Sequence, residues 1–78
     1  MKEFAIHFAS VQDVQKFVSL ATAQPFSITV GNDFHKVNGK SFMEIFSLKF
    51  DYPLTVWLEC SDSQYQQFLA EARFLLPN

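Results

Sequence analysis

The chain predicts an α+β fold, an open-faced sandwich in which a four-stranded antiparallel sheet carries three helices on one face. Three observations predict it. Apolar residues alternate along three short stretches, the second followed by a turn and a short returning arm, they recur at helical spacing between the strands, and a serine stands before each helical segment. The resulting order is β-α-β-β-α-β-α in a single domain over residues 1–78.

Each element follows from its own residues. Lys2 to Phe8 places Phe4, Ile6 and Phe8 on one face and Ala5 and His7 on the other, a half-buried strand. Ser10 is an N-cap, with Asp13 adding negative charge to the first turn. Val11, Val14, Phe17, Val18 and Ala21 then form one stripe of a helix from Val11 to about Ala23, which Pro25 ends. Phe26, Ile28 and Val30 alternate with Ser27 and Thr29. Gly31-Asn32-Asp33 turns the chain, and Phe34 to Val37 returns as the second arm of a hairpin. Ser41 to about Leu48 is a two-turn helix, and Asp51-Tyr52-Pro53 turns into a strand from Leu54 to Cys60. That strand puts Val56, Leu58 and Cys60 on one side and Thr55, Trp57 and Glu59 on the other. Ser61-Asp62-Ser63 caps a last helix to about Leu76, with Tyr65, Phe68, Leu69, Ala72 and Leu75 or Leu76 as its buried stripe.

Composition bounds the function. Seventy-eight residues are near the lower size limit for an unstapled domain, but ten phenylalanines and a hydrophobic share of 49% supply large buried areas. A net charge of −2 and six scattered cations offer no basic stripe for nucleic acid. No apolar run reaches membrane-spanning length, and Glu3 and His7 interrupt the first apolar stretch, which reads as a strand and not a secretory signal. Residue 2 is lysine and not glycine, so myristoylation is not expected. Cys60 is the single cysteine, so neither an internal disulfide nor a cysteine-based zinc site is expected. His7 and His35 lie on separate strands without ligand spacing, so no metal and no cofactor is expected. The expected location is the cytoplasm.

The stretch VNGKSFMEIFSL, residues 37–48, carries the most chemistry. Ser41 begins a helix, so its hydroxyl lies among unpaired backbone N–H groups, at the positive end of the helix dipole. Two readings stay open: Ser41 is a structural cap, or it accepts a regulatory phosphoryl group. The first is supported by Ser41-x-x-Glu44, the pattern of a capping box. That same carboxylate would repel a phosphoryl group, and Lys40 offsets the repulsion only in part.

This stretch, together with the element order, resembles HPr, the small phosphocarrier of the bacterial sugar phosphotransferase system. The family pattern runs approximately V-N-A-K-S-I-M-G-I-M-S-L, matched by Val37, Asn38, Lys40, Ser41, Met43, Ile45, Ser47 and Leu48. The resemblance implies the HPr type of open-faced sandwich over nearly the whole chain. It also exposes a departure. The family's phosphorylated histidine caps the first helix in G-[ILV]-H-A-R-P-A, whereas residues 8–14 here read FASVQDV. Ser10 stands in the place of the histidine, Gln12 in that of the arginine and Asp13 in that of the proline. Histidine phosphate chemistry needs an imidazole nitrogen and a cation beside it, so phosphoenolpyruvate-driven transfer is not expected at this site.

The resemblance then implies a regulatory relative. Members of the family in Gram-positive bacteria are phosphorylated by an ATP-dependent kinase on the serine matching Ser41, and one branch lacks the carrier histidine and keeps only that serine. Phe42, Met43 and Phe46, with Lys40, would form the adjoining docking patch. The expected partners are an HPr-type kinase, a transcriptional regulator or a phosphotransferase-system component, the oligomeric state being open. A second reading is a binding module without phosphate chemistry, built on Trp57, which alternation places on the uncovered sheet face with Thr55, Thr29 and His7. An enzyme is not expected: no nucleophile–base pair, paired carboxylates or glycine-rich phosphate loop is present.

Overall fold

The computed structural model describes residues 1–48 and 53–77. The expected elements are present: β1 (Lys2–Ile6), α1 (Val11–Thr22), β2 (Ile28–Gly31), β3 (Lys36–Asn38), α2 (Phe42–Phe46), β4 (Leu54–Leu58) and α3 (Asp62–Glu71). A 3₁₀ turn, Arg73–Leu75, follows α3. The strands form one antiparallel sheet in the order β1-β4-β2-β3. The last strand in the sequence therefore lies in the middle, between β1 and β2.

Register sorts the two faces. Phe4 and Val30 flank Val56, Ile28 faces Leu58, and Ile6 faces Leu54, so one face is apolar throughout. The helices cover it. Val14, Phe17 and Ala21 of α1, Ile45 of α2, Phe68 of α3 and then Ala72 and Leu75 join those strand residues in a single core. Glu3, Ala5, Thr29, Thr55 and Trp57 share the opposite face, where every side chain stays half-buried or exposed.

Phe68 is the centre of an aromatic cluster. Its ring meets those of Phe4, Phe17 and Phe26 at centroid distances of 6.2, 6.0 and 6.3 Å, tilted or edge-on, and Phe17 in turn meets Phe8 at 5.7 Å. Such edge contacts suit the ring quadrupoles and add to the area buried. Polar contacts fasten β1 to α3 at the rim of this core. The Tyr65 hydroxyl donates to the Glu3 carbonyl at 3.1 Å, and Lys2 pairs with Asp62. The hydrogen bond and the charge of Lys2 hold the Asp62 carboxyl below its ordinary range, and those of Asp62 raise the Lys2 ammonium.

Several boundaries differ from expectation, each for a local reason. β1 ends at Ile6 and not Phe8, because the His7 N–H turns to the Leu75 carbonyl at 2.7 Å; Phe8 is buried all the same. β2 begins at Ile28, two residues after the buried Phe26, and β4 ends at Leu58, two before Cys60. β3 starts at Lys36, not Phe34. The Asn32 side-chain oxygen accepts the backbone N–H groups of Phe34 and His35 at 2.8 and 2.9 Å, which carries the turn through His35. α3 stops at Glu71, and the tighter turn after it places Leu75 in the core with its carbonyl on His7. Val11, expected on the buried stripe of α1, is 41% exposed. The turn expected at Asp51-Tyr52-Pro53 falls partly outside the described residues.

The capping box sits at α3. Ser61 Oγ accepts the Gln64 N–H at 3.2 Å, and Gln64 Oε1 accepts the Ser61 N–H at 3.0 Å. Ser61→Ala removes one acceptor from the helix start and should lower stability by about 1 kcal/mol in urea denaturation. A loss under about 0.3 kcal/mol would mean that water replaces the serine without cost.

Candidate functional site

Two helix starts bear the residues singled out by the sequence. At α1, Ser10 has extended backbone (φ −158°, ψ 169°), and its hydroxyl oxygen accepts the Asp13 N–H at 3.4 Å. The Asp13 carboxylate reaches back to the Ala9 N–H at 2.9 Å. Gln12 is exposed on the first turn. The N-cap position thus holds a hydroxyl with a carboxylate beside it, and neither histidine of the chain occupies it: His7 follows β1 and His35 lies in the β2–β3 turn.

At α2, Ser41 is the N-cap, half-buried, and its hydroxyl oxygen accepts the Glu44 N–H at 3.3 Å. Here the expectation of a capping box is corrected. The Ser41 N–H is already donated to the Asn38 carbonyl at 3.1 Å, so the Glu44 carboxylate passes it and accepts the Asn38 N–H at 3.2 Å. Asn38 Oδ1 accepts the Lys40 N–H at 2.9 Å, and the Gly39 N–H bonds the Ile28 carbonyl at 2.7 Å. A tight, internally bonded turn therefore delivers Ser41 to the helix.

Lys40 also departs from its expected role beside Ser41. Its ammonium donates to the Gln24 carbonyl at 2.8 Å, just beyond the C-terminus of α1, where a cation complements the helix dipole. It ties the β3–α2 turn to α1. Of the three α2 residues expected in the docking patch, Met43 is 79% and Phe46 49% exposed. Phe42 is half-buried against the core and stacks on Phe46, with centroids 5.5 Å apart and planes at 14°. The outward surface is Met43 and Phe46, and Phe42 supports it.

On the other sheet face, Trp57 lies between its register partners Glu3 and Thr29, half-buried. The Lys36 ammonium stands 5.1 Å from the centre of its ring, a contact the sequence reading missed. No local pattern announces it, because it depends on the register that pairs β3 with β2 and β2 with β4. His7, expected on this face, follows the last residue of β1. Burial raises the Cys60 thiol above its ordinary value. Among the described residues no group of three or more His, Cys, Asp or Glu gathers to hold a metal ion, and no helix is long and apolar enough to cross a membrane.

Two solved structures share this architecture. The phosphocarrier protein HPr from Bacillus anthracis str. Ames matches with a TM-score of 0.71 at 22% identity, over 95% of each chain. Crh, the catabolite repression protein of Bacillus subtilis, seen there as a domain-swapped dimer, matches with a TM-score of 0.64 at 20% identity, over 96% of this chain and 90% of its own. At these identities the likeness establishes the fold. No curated protein matches the sequence. The PTS-HPr family model, "PTS HPr component phosphorylation site", matches residues 11–77, beginning one residue after Ser10. On the strength of that match across most of its length, the chain belongs to the PTS-HPr family.

Proposed function

We propose that this chain is a regulatory member of the HPr family, a single cytoplasmic domain that works through protein contacts and carries no phosphohistidine. One observation carries the reading. The N-cap of α1 holds Ser10, with the Asp13 carboxylate bonded to the adjacent Ala9 N–H, where carrier chemistry needs an imidazole and a cation. A serine ester is stable, so a phosphoryl group placed on this chain serves as a signal and not as cargo. Ser41 is its acceptor, with Met43 and Phe46 as the exposed contacts next to it. The partner is a protein, a transcriptional regulator or a component of the phosphotransferase system. The similarity in fold to a protein named for catabolite repression supports this reading.

Intact-mass measurement tests it in two mixtures. With phosphoenolpyruvate and the upstream donor of the phosphotransferase system, no mass should be gained. With ATP and an HPr-type kinase, wild type should gain one phosphoryl group and Ser41→Ala none. A phosphoenolpyruvate-dependent gain overturns the proposal, and an ATP-dependent gain that persists in Ser41→Ala overturns the site.

A second reading rests on Glu44. Its carboxylate lies over the same turn as Ser41, bonded to the Asn38 N–H, and repels an incoming phosphoryl group. Glu44→Gln should therefore raise the rate of Ser41 phosphorylation severalfold in the kinase assay. If neither wild type nor Glu44→Gln is modified while authentic HPr is modified in the same mixture, the family fold here serves as an interaction module without phosphate chemistry.

A further inference from the structure

We propose that the β2–β3 hairpin mediates weak self-association, the Asp33–Phe34 tip of one copy docking on the Trp57 cleft of a second. The tip is a preformed knob. Asn32 Oδ1 holds the Phe34 and His35 N–H groups, and the Asn32 N–H donates to the His35 carbonyl at 3.0 Å, so three hydrogen bonds fix a turn whose Phe34 is 97% exposed. The structural demands of the turn fall on Asn32 and Gly31, and none requires an aromatic ring at Phe34. The cleft is on the uncovered sheet face, about 290 Å³, lined by Met1, Thr29, Lys36 and Trp57.

Charge selects a second copy as the occupant. Asp33, beside the knob, has no ion-pair partner among the described residues. Lys36, at the cleft, has no carboxylate partner among them either, and its ammonium lies over Trp57. The two are three residues apart on one hairpin yet do not pair within the molecule. A two-fold arrangement that brings the tip of each copy to the cleft of the other makes two such pairs, Asp33 to Lys36 in both directions. Lys36 has only to swing from the indole, a weak surface contact, to let one ring cover another. Glu3, opposite Trp57 on β1, repels Asp33 from the far side of the cleft and favours the Lys36 side. The contact is small beside a standard interface, so association is expected only at high protein concentration.

Sedimentation equilibrium of the whole chain from roughly 10 μM to 2 mM tests this. Wild type should dimerise reversibly, and Phe34→Ala and Trp57→Ala should each weaken the dimer at least tenfold. Asp33→Lys should weaken it, and the exchanged pair Asp33→Lys with Lys36→Asp should regain it. Phe34 and Asp33 are exposed, so their variants keep the fold, which a denaturation curve checks. A wild type that stays monomeric to 2 mM overturns the proposal and leaves the tip to a foreign partner. A dimer indifferent to Phe34→Ala also overturns it, by placing the contact elsewhere.

Discussion

Phe68→Ala is expected to lower the stability of this domain by about 3–5 kcal/mol, the largest loss of any single truncation in the core. The ring is 1% exposed and touches Phe4 of β1, Phe17 of α1 and Phe26 ahead of β2, so its removal opens a cavity bordered by three separate segments of the chain. Those neighbours are rings, stiff and held from several sides, which limits collapse into the space. A small domain holds roughly 5–15 kcal/mol in all, and a chain of 78 residues stands at the low end. The melting temperature should therefore fall by roughly 15–30 °C. Urea denaturation of Phe68→Ala beside Phe34→Ala makes the comparison internal, since the exposed Phe34 should change stability by no more than about 0.5 kcal/mol. A loss under about 1.5 kcal/mol for Phe68→Ala would mean that the aromatic cluster is not the keystone of the fold.

The reason Phe68 could be found in the sequence shows what was legible there. It lies on the apolar stripe of a helix announced by Ser61, and stripe and cap are local signals. The same holds for Val56 and Leu58, whose alternation placed them inward and left Trp57 on the open face. Those signals sufficed for element type, for the sidedness of the sheet and for the placing of Ser10 and Ser41 at helix starts.

What escaped depends on pairing between distant segments. Nothing in Leu54–Leu58 alone says that this strand lies between β1 and β2, and without that register Lys36 cannot be set over Trp57. The two serine caps teach the same lesson at short range. Ser41-x-x-Glu44 and Ser61-x-x-Gln64 have equivalent patterns, yet only the second closes a capping box. The difference is the Asn38 carbonyl, which has already taken the Ser41 N–H and sends the Glu44 carboxylate further back along the turn. Lys40, read as part of a docking patch, is fixed to Gln24, a residue of the α1 end that sequence distance gives no reason to expect. The candidate site was thus located by sequence, and its bonding was set by contacts that sequence does not carry.

Gly31→Ala is the second large effect, and it acts through the backbone. Gly31 ends β2, is buried, and pairs with Lys36 on one side and Thr55 on the other. Its backbone φ is not positive, so a Cβ is refused by space and not by torsion. That carbon would fall far inside the van der Waals radius of the His35 carbonyl oxygen and only 2.8 Å from Lys36 Cα. Both obstacles are main chain, which no rotamer change can clear, so β3 must move away from β2. The Asn32–His35 hydrogen bond goes with it. Replacing a glycine stabilises a chain by about 0.4–1 kcal/mol where the native backbone can accept the change. Here overpacking of about 2–3 kcal/mol outweighs that gain, and the net is destabilising. Because β3 is a three-residue edge strand, the damage should be local: amide exchange should speed at Asn32, His35 and Lys36 more than at Val56, in the sheet centre. Unchanged exchange in the hairpin would mean that the strands part without cost. A loosened hairpin also presents Phe34 on a mobile tip, so Gly31→Ala should weaken the proposed dimer as Phe34→Ala does, although every residue of the contact is still present.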